Sequence, residues 1–222
     1  MSNFGQFSLN QVEHTCRKAA RGSGFAWGMA DDIGKAIRWL AAYRLPAVEV
    51  FVEYLETYDD QNYHDVAPTN LTSPLEASGG VLNPLITGMA LSDCFDLIQG
   101  QVLATQSIDW PILAVGFLGQ TALAEEQTVA LGWDGVELVF YRDAVSIKRA
   151  DEGFLEARIS PELWCRRGKI EDGAPVLDPV IGSIGVDFKV WERLEALAHH
   201  TYVEATDASR TAGAGAGLND ND

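Results

Sequence analysis

A short segment near the N-terminus combines glycines with an arginine and a tryptophan. It reads Gly22-Ser-Gly24-Phe-Ala-Trp27-Gly28 and follows directly after Arg21. Because the segment leads into a predicted helix, free N–H groups at the helix start could hold a carboxylate or phosphate beside Arg21. The spacing is GxGxxxG and a helix precedes it, whereas a dinucleotide-binding fingerprint needs a strand there. The alternative interpretation is a glycine-terminated helix followed by a tight connection.

The C-terminal segment 205–222 carries a second group of polar side chains among very small residues. Ser209 and Arg210 precede five consecutive glycines and alanines, Gly213 to Gly217, and the chain ends in Asn and Asp residues. Alternating glycine and alanine suit close backbone approach to a ligand or to another chain. An ordered tail would bring Ser209 and Arg210 to a fixed place. The alternative is a disordered tail, since residues this small cannot build a core.

Three carboxylates and one imidazole lie close together in Asp59, Asp60, His64 and Asp65. Such groups bind divalent cations, and no lysine or arginine nearby in sequence competes for them. The spacing does not fit an EF-hand, because the turn glycine and the closing glutamate are missing. A solvated loop is the alternative interpretation. We identify no cofactor from the sequence.

A nucleophile is harder to assign. Cys16, Cys94 and Cys165 are odd in number and widely separated, which indicates reduced thiols rather than a disulfide framework. His200 could form a nucleophile–base pair with Cys16 or Ser209 only if the two ends of the chain meet. The sequence contains no GxSxG, HExxH, Walker A or CxxC motif. Whether the chain is an enzyme therefore stays open.

The charges are distributed unevenly along the chain. The 97 residues from Leu45 to Tyr141, called the acidic middle below, contain fourteen Asp and Glu but no Lys or Arg. All sixteen basic residues lie in the flanks, six before Leu45 and ten after Tyr141. Only the flanks, a bound cation, a partner or water can therefore pair these carboxylates. The net charge of −16 argues against nucleic acid and anionic membranes as partners.

No apolar run approaches the roughly 18–20 residues that span a bilayer. The longest candidate, Trp110 to Gly119, is short and contains Pro111. The start of the chain has neither a basic nor an apolar signal region, so we expect no signal peptide and a cytoplasmic location.

Apolar periodicity predicts the elements that must position these groups. The first helix is capped by Ser8 or Asn10 and ended by Gly22. The predicted helices are Ser8–Arg21, about Gly28 to Tyr43, Pro46–Tyr58 and Val186–Tyr202. The predicted strands are Leu85–Leu91, Gln101–Thr105, Ile112–Leu118, Thr128–Leu131, Val136–Arg142, Ala144–Arg149 and Phe154–Ile159. Trp133-Asp134-Gly135 is typical of a hairpin turn.

This order of elements predicts one α+β domain over residues 1–222, because helices segregated from strands suit an antiparallel sheet. The expected parts are an N-terminal helical layer (1–58), a strand-rich middle (80–160) forming a mainly antiparallel central sheet, a C-terminal helix (186–202) and the Gly/Ala-rich tail (205–222).

Both ends of the chain resemble an uncharacterised bacterial domain-of-unknown-function family of about this length. The resemblance rests on Ala19-Ala-Arg21-Gly22-x-Gly24-Phe25-x-Trp27-Gly28-x-Ala30 near the start, together with Arg38-Trp39-Leu40. Near the end it rests on Ala208-Ser209-Arg210 and on Gly213-Ala-Gly-Ala-Gly217-Leu218-x-Asp220-Asn221-Asp222. The resemblance implies a bacterial cytoplasmic protein without assigning any chemistry.

Three functional hypotheses follow. In the first, Arg21, Gly22, Gly24, Trp27, Ser209 and Arg210 line a cleft that binds a small anionic metabolite. In the second, the tail completes a homo-oligomer interface and the acidic surface receives a basic partner. In the third, the chain is a metal-dependent enzyme that uses the Asp59–Asp65 cluster.

Overall fold

We describe residues 3–58, 62–96, 101–171 and 174–201 of a computed structural model of the chain. The helices within these ranges are α1 (Leu9–Gly22), α2 (Trp27–Ala42), α3 (Val48–Thr57), α4 (Tyr63–Val66), α5 (Pro84–Asp93), α6 (Ile112–Ala124) and α7 (Phe188–His199). The strands are β1 (Phe4–Ser8), β2 (Leu103–Ala104), β3 (Ile108–Asp109), β4 (Val129–Trp133), β5 (Val136–Tyr141), β6 (Ala144–Ala150), β7 (Ile159–Ser160), β8 (Leu163–Arg167) and β9 (Ser183–Asp187).

Helix α1 begins where the sequence places its cap. The Ser8 hydroxyl accepts a hydrogen bond from the Gln11 N–H at 3.2 Å, and the Gln11 side chain accepts one from the Ser8 N–H at 2.8 Å. This reciprocal capping box satisfies two N–H groups that a helix start leaves free. The predicted apolar stripe of α1 is buried, with Val12 and Cys16 both at 0% exposure.

Helix α2 lies at the centre of the helical layer, where it packs against α1 and α6. Its inward stripe includes Ile33, Ile37 and Leu40, all fully buried. A Cβ atom at Gly116 of α6 would collide with the backbone carbonyl oxygen of Ala36. A glycine is therefore needed for α6 to approach α2 this closely.

The central sheet has five strands in the order β2-β8-β4-β5-β6, and every neighbouring pair is antiparallel. Strands β4 and β5 form the predicted hairpin, and Gly135 in its turn has a φ of 75° that favours glycine. Leu131 and Leu138 pair across the two strands and are fully buried. The α+β class with a mainly antiparallel central sheet is confirmed.

Three predicted strands have a different structure. Leu85–Leu91 lies in α5 and Ile112–Leu118 lies in α6. Both of these helices are enclosed by other elements. An enclosed helix is apolar on all sides and shows no amphipathic period that would separate it from a buried strand. Phe154–Ile159 forms a 3₁₀ turn at Phe154–Glu156 and reaches a strand only at Ile159.

The two ends of the described chain meet in a small antiparallel ribbon. Strand β1 pairs with β9, with Phe4 opposite Asp187. The Asp187 carboxylate then caps α7 by accepting a hydrogen bond from the Lys189 N–H at 2.8 Å. Helix α7 packs along α1, and its last turn lies near the end of α1. The predicted C-terminal helix is therefore confirmed, although Val186 belongs to β9.

A buried apolar cluster runs from α1 through the sheet to α7 and includes Leu9, Phe51, Leu138 and Leu194. In the described part of the chain, no helix combines the length and the apolar character needed to cross a membrane.

Candidate functional site

Arg21 lies in the last turn of α1 and reaches toward the start of α2. Its Nη1 donates a hydrogen bond to the Phe25 carbonyl oxygen at 3.2 Å. Its guanidinium lies over the Trp27 ring, 5.5 Å from the ring centroid. No carboxylate of the described residues forms an ion pair with Arg21. The loop between the two helices therefore holds a cation whose charge no described side chain neutralises.

The first turn of α2 has no side-chain cap. Ala26 is the N-cap residue, and no acidic residue lies in the first turn. The first backbone hydrogen bond of the helix joins the Ala30 N–H to the Ala26 oxygen at 2.9 Å. In the described structure the preceding N–H groups, of Trp27, Gly28 and Met29, have no backbone acceptor. These donors and the positive end of the helix dipole face the same region as Arg21.

Two of the predicted glycines leave the surface in front of α2 open. A Cβ atom added at Gly24 or at Gly28 would meet no atom within 4 Å. Gly24 also has a φ of 101°, a backbone conformation that other residues rarely adopt. Trp27 is 55% exposed beside them. Gly24, Trp27 and Arg21 are thus brought together at one surface.

Gly22 has a different environment, because it faces α7. A Cβ atom there would collide with the Leu197 carbonyl oxygen and would lie 3.2 Å from the His200 Cβ. The absence of a side chain at Gly22 is what lets α7 pack on the end of α1. The chain consequently leaves α7 next to the Arg21–Trp27 loop.

Ser23, which lies between the two glycines, has an unused polar group. Its N–H donates to the Ala19 oxygen at 2.9 Å and closes α1. Its hydroxyl oxygen is buried and has no hydrogen-bond partner among the described residues. A buried hydroxyl without a partner is unfavourable, so a ligand or another part of the chain that paired with it would be stabilised.

Several predicted site residues lie outside the described ranges, namely Ser209, Arg210, Asp59 and Asp60. The two remaining metal candidates, His64 and Asp65, lie on α4. The Asn62 side chain caps this helix by accepting a hydrogen bond from the His64 N–H at 3.2 Å. The His64 side chain is exposed and contacts the Tyr63 ring edge to face. In residues 3–58, 62–96, 101–171 and 174–201, no three His, Cys, Asp or Glu side chains form a group suited to a metal.

The cysteines of the core are poor nucleophiles. Cys16 is fully buried within α1, and its burial raises the pKa of the thiol well above the usual range. Burial likewise raises the pKa of Cys165 to about 12. A thiol that stays protonated and has no access to solvent cannot attack a substrate.

Comparison with known proteins gives a family for the part of the chain that contains this loop. Residues 7–81 match the family described as "Protein of unknown function (DUF3726)". The expected resemblance to an uncharacterised family is therefore confirmed over α1, α2, α3 and α4. The DUF3726 match includes Arg21, Gly22, Gly24 and Trp27 but ends before Ser209 and Arg210.

No curated protein matches the chain. A solved structure, malate dehydrogenase from Entamoeba histolytica, is similar at 8% sequence identity and a TM-score of 0.37. The similarity covers 67% of this chain and 46% of that chain. The chain thus spans less than half the length of that enzyme, and a likeness this slight implies no shared activity.

Sequence reasoning missed the importance of Ala26. The signal was the lack of Ser, Thr, Asp or Asn at the position before Trp27, because such a residue would have capped α2. A second missed feature is a cavity along the C-terminal half of α2, lined in part by Trp39 and Asp143. These residues are far apart in sequence, so only the fold brings them together.

Proposed function

We propose that this chain binds a small anionic metabolite at the start of α2. The observation that carries the proposal is a 16-residue helix whose first turn has neither a cap nor an acidic residue, beside an arginine with no carboxylate partner among the described residues. Helix N-termini and arginines are the groups that proteins use most often to hold carboxylates and phosphates. The charge of the ligand would rest on Arg21 and on the N–H groups of Trp27 and Gly28.

The surroundings of this site favour a small ligand. The open space at Gly24 and Gly28 allows an anion to approach the backbone closely. The exposed Trp27 ring offers an apolar surface for the body of the ligand. The Ser23 hydroxyl, which has no described partner, is a further polar group in the same loop.

Ser209 and Arg210 enter the proposal from the sequence. The contact between Gly22 and the end of α7 supports their inclusion, since the last described residue, Thr201, follows His200 directly. Only eight residues separate Thr201 from Arg210. A chain that stops after Thr201 should therefore bind the anion more weakly than the full chain.

A substitution at Ala26 tests the site by occupying it. Ala26 has the extended backbone of an N-cap residue, with φ −60° and ψ 152°. Ala26→Asp should place a carboxylate on the free N–H groups and raise the free energy of unfolding by about 1 kcal/mol. The same carboxylate should remove any increase in melting temperature that phosphate, citrate or nucleotides cause in the unaltered chain. Anion binding that persists unchanged in Ala26→Asp would refute the site.

A matched pair of arginines separates a specific effect from general charge. Arg21→Gln should weaken anion binding by about tenfold or more, as expected when a charged hydrogen-bonding group is lost. Arg44→Gln removes the same charge from an exposed arginine at the opposite end of α2, and it should leave the affinity nearly unchanged. Equal losses in both variants would indicate nonspecific attraction. Isothermal titration calorimetry at constant ionic strength makes the comparison.

A second candidate function is self-association, which exposed apolar side chains on and next to the β1–β9 ribbon favour. Phe4 is 56% exposed, Phe188 47% and Ile181 97%. Exposed apolar groups next to unpaired strand edges are typical of interaction surfaces. If the ribbon forms a homo-oligomer, Phe188→Asp should lower the molecular mass in solution measured by light scattering. If the Phe188→Asp variant and the unaltered chain have the same molecular mass in solution, self-association through the ribbon is excluded.

A further inference from the structure

A cavity of about 540 Å³ lies along the C-terminal half of α2. Residues of α1 and α6 form two of its walls, and Asp143 and Val180 close it on the other side. The Val180 N–H donates to the Ala42 oxygen at 2.7 Å, which fixes this wall against the end of α2. The volume falls within the range of small-molecule sites, which is about 300–1,000 Å³. It is separate from the anion site at the start of α2.

Trp39 of α2 and Tyr43, the C-cap residue of that helix, give the cavity a rigid apolar wall. The Trp39 and Tyr43 rings lie 4.6 Å apart at an angle of 46°, and Phe140 contacts Trp39 edge to face. Trp39 is only 7% exposed and Tyr43 only 3%. A Cβ atom at Gly119 would collide with the Trp39 ring, so the indole is held tightly in place. Fixed aromatic rings bind an apolar group without losing much side-chain freedom.

Trp39 also has an unused hydrogen-bond donor. Its Nε1–H is buried and has no acceptor among the described residues. The indole of Trp133 is buried to a similar degree, yet its Nε1 donates to the Phe154 oxygen at 2.9 Å. Buried indole N–H groups usually find a partner, and a missing one calls for an explanation. The atom has almost no solvent-accessible surface, so a ligand acceptor reaches it only after a neighbouring side chain has moved aside.

The cations of the cavity are already paired. Lys35 forms an ion pair with Asp32 at 3.1 Å, and Arg38 forms one with Glu13 at 2.9 Å. Both lie toward the N-terminal end of the stripe that continues through Trp39 to Tyr43. They can strengthen the binding of an acceptor group on a ligand, but they leave no uncompensated positive charge.

The unpaired charge is negative and lies at the Tyr43 end. Asp143 lines the cavity, and Asp178 precedes the lining residue Pro179. Neither carboxylate forms an ion pair within the described ranges. Burial and, less strongly, the charges of Asp143 and Asp178 together raise the pKa of Tyr43 to about 12, so both carboxylates lie near the phenol. A positive group between these carboxylates and the aromatic rings would be stabilised by both.

We propose that this cavity binds an amino acid with an apolar side chain. Its ammonium group would meet Asp143 and the ring of Tyr43. Its carboxylate would accept a hydrogen bond from the free Trp39 N–H near Arg38. Its side chain would pack against Trp39 and Leu123. An amino-acid zwitterion supplies a cation for the unpaired carboxylates, an acceptor for the free donor and an apolar body for the aromatic wall.

Three probes test each part of the proposal on the full chain. Calorimetry or ligand-observed NMR should detect L-phenylalanine at concentrations up to about 10 mM, a limit that includes the millimolar affinities of weak sites. 3-Phenylpropionate lacks the ammonium group and 2-phenylethylamine lacks the carboxylate. Each should bind about tenfold more weakly or worse. L-Leucine should bind, because the side chain needs only to be apolar. No binding of either amino acid would overturn the proposal.

Two variants assign the contacts. Asp143→Asn should remove the preference for phenylalanine over 3-phenylpropionate, and a preference that survives would refute the role of Asp143. Trp39→Phe keeps an aromatic ring and removes the free donor. It should therefore weaken the binding of phenylalanine and leave the binding of 2-phenylethylamine unchanged. Equal loss for both probes would contradict the assigned hydrogen bond.

The controls distinguish this site from the anion site and from misfolding. Arg21→Gln, which disables the proposed anion site, should leave phenylalanine binding intact. Trp39→Phe loses indole volume from a packed site but no described hydrogen bond, so it should lower the melting temperature less than Trp133→Phe does. Trp133→Phe loses a satisfied hydrogen bond and should melt lower. A Trp39→Phe variant that melts as low as Trp133→Phe would show that the Trp39 N–H is already satisfied.

Discussion

At the scale of single residues, the structure separates two kinds of glycine at the two ends of the loop between α1 and α2. Gly22 permits a helix contact, whereas Gly28 borders open space. The sequence alone predicts that both matter, because their spacing is visible there. It cannot say which one faces another helix, since α7 begins more than 160 residues later. The same substitution should therefore have opposite effects at the two positions.

Gly22→Ala should destabilise the chain by about 1–3 kcal/mol, the typical cost of inserting a methyl group into a packed contact. The added methyl group would collide with the Leu197 backbone, which cannot move without shifting α7. Gly28→Ala is the matched control and should be neutral or stabilising, because alanine favours helix and meets no neighbour. Denaturant unfolding of both variants measures the difference. A Gly22→Ala variant as stable as the original would show that α7 does not pack on α1 in this way.

Asp109 is a carboxylate in an unfavourable place. Its partial burial raises its pKa above the ordinary value of 3.8. The unfolded chain therefore loses this proton at a lower pH than the folded chain, so the group lowers stability once the pH rises above 3.8. Asp109→Asn should raise the melting temperature at about pH 7, by roughly 2–4 °C per kcal/mol regained. The gain should shrink as the pH falls through the raised pKa and should be nearly absent below pH 3.8. A gain independent of pH would contradict the ionic explanation.

At the scale of elements, the sequence predicts best where one face of an element is exposed. Helices α1 and α2 were predicted because polar and apolar residues alternate with a helical period. Helices α5 and α6 lack that contrast, since both are enclosed. Asn83-Pro84 is nonetheless a typical helix start, and the Asn83 side chain does accept hydrogen bonds from two N–H groups of α5. The β1–β9 ribbon leaves no local signal, because its strands come from opposite ends of the chain.

The contact between α3 and α7 gives a prediction about pH. The Arg193 guanidinium donates two hydrogen bonds to the Glu56 carboxylate. These bonds hold the pKa of Glu56 below its ordinary value of 4.5. The stabilisation is therefore complete above pH 4.5 and is lost as the pH falls through the lowered pKa. Both side chains are about 40% exposed, so solvent screening limits the contribution to about 0.2–1 kcal/mol.

Glu56→Gln measures this contribution directly. The variant should be less stable than the original at about pH 7, and the difference should disappear as the pH falls through the lowered pKa of Glu56. Arg193→Gln should show the same pattern, and the double variant should lose no more than either alone. Additive losses would mean that Glu56 and Arg193 stabilise the fold independently of each other.

At the scale of the whole molecule, the C-terminal flank pairs with the acidic middle. Arg142, Arg158, Arg166 and Arg193 form ion pairs with Glu126, Glu53, Glu137 and Glu56 respectively. Three cations of the N-terminal flank, Arg17, Lys35 and Arg38, instead pair with carboxylates of α1 and α2. The lack of Lys and Arg in the middle thus indicates an association of distant segments. Which arginine meets which glutamate depends on packing that composition does not encode.

Ion pairs are neutral and leave the net charge of −16 unchanged, so salt should stabilise the chain by screening the excess carboxylates. An exposed ion pair contributes about 0–1 kcal/mol, whereas repulsion acts among all the carboxylates and is screened within about 10 Å at 0.1 M salt. The melting temperature should rise between about 0.05 and 0.5 M sodium chloride. A fall over that range would mean that the ion pairs outweigh the repulsion.

Two carboxylates allow this explanation to be tested by substitution. Asp93 is the last residue of α5 and Glu125 is the C-cap of α6, where negative charge opposes the helix dipole. Neither has an ion pair among the described residues. Asp93→Asn combined with Glu125→Gln should stabilise the chain by about 0.3–1 kcal/mol for each change at low salt, and it should reduce the response to salt. Glu53→Gln removes the same kind of charge but also breaks the pair with Arg158, so it should stabilise the chain less. Equal gains from paired and unpaired carboxylates would show that net charge alone governs stability and that the arginine contacts add nothing.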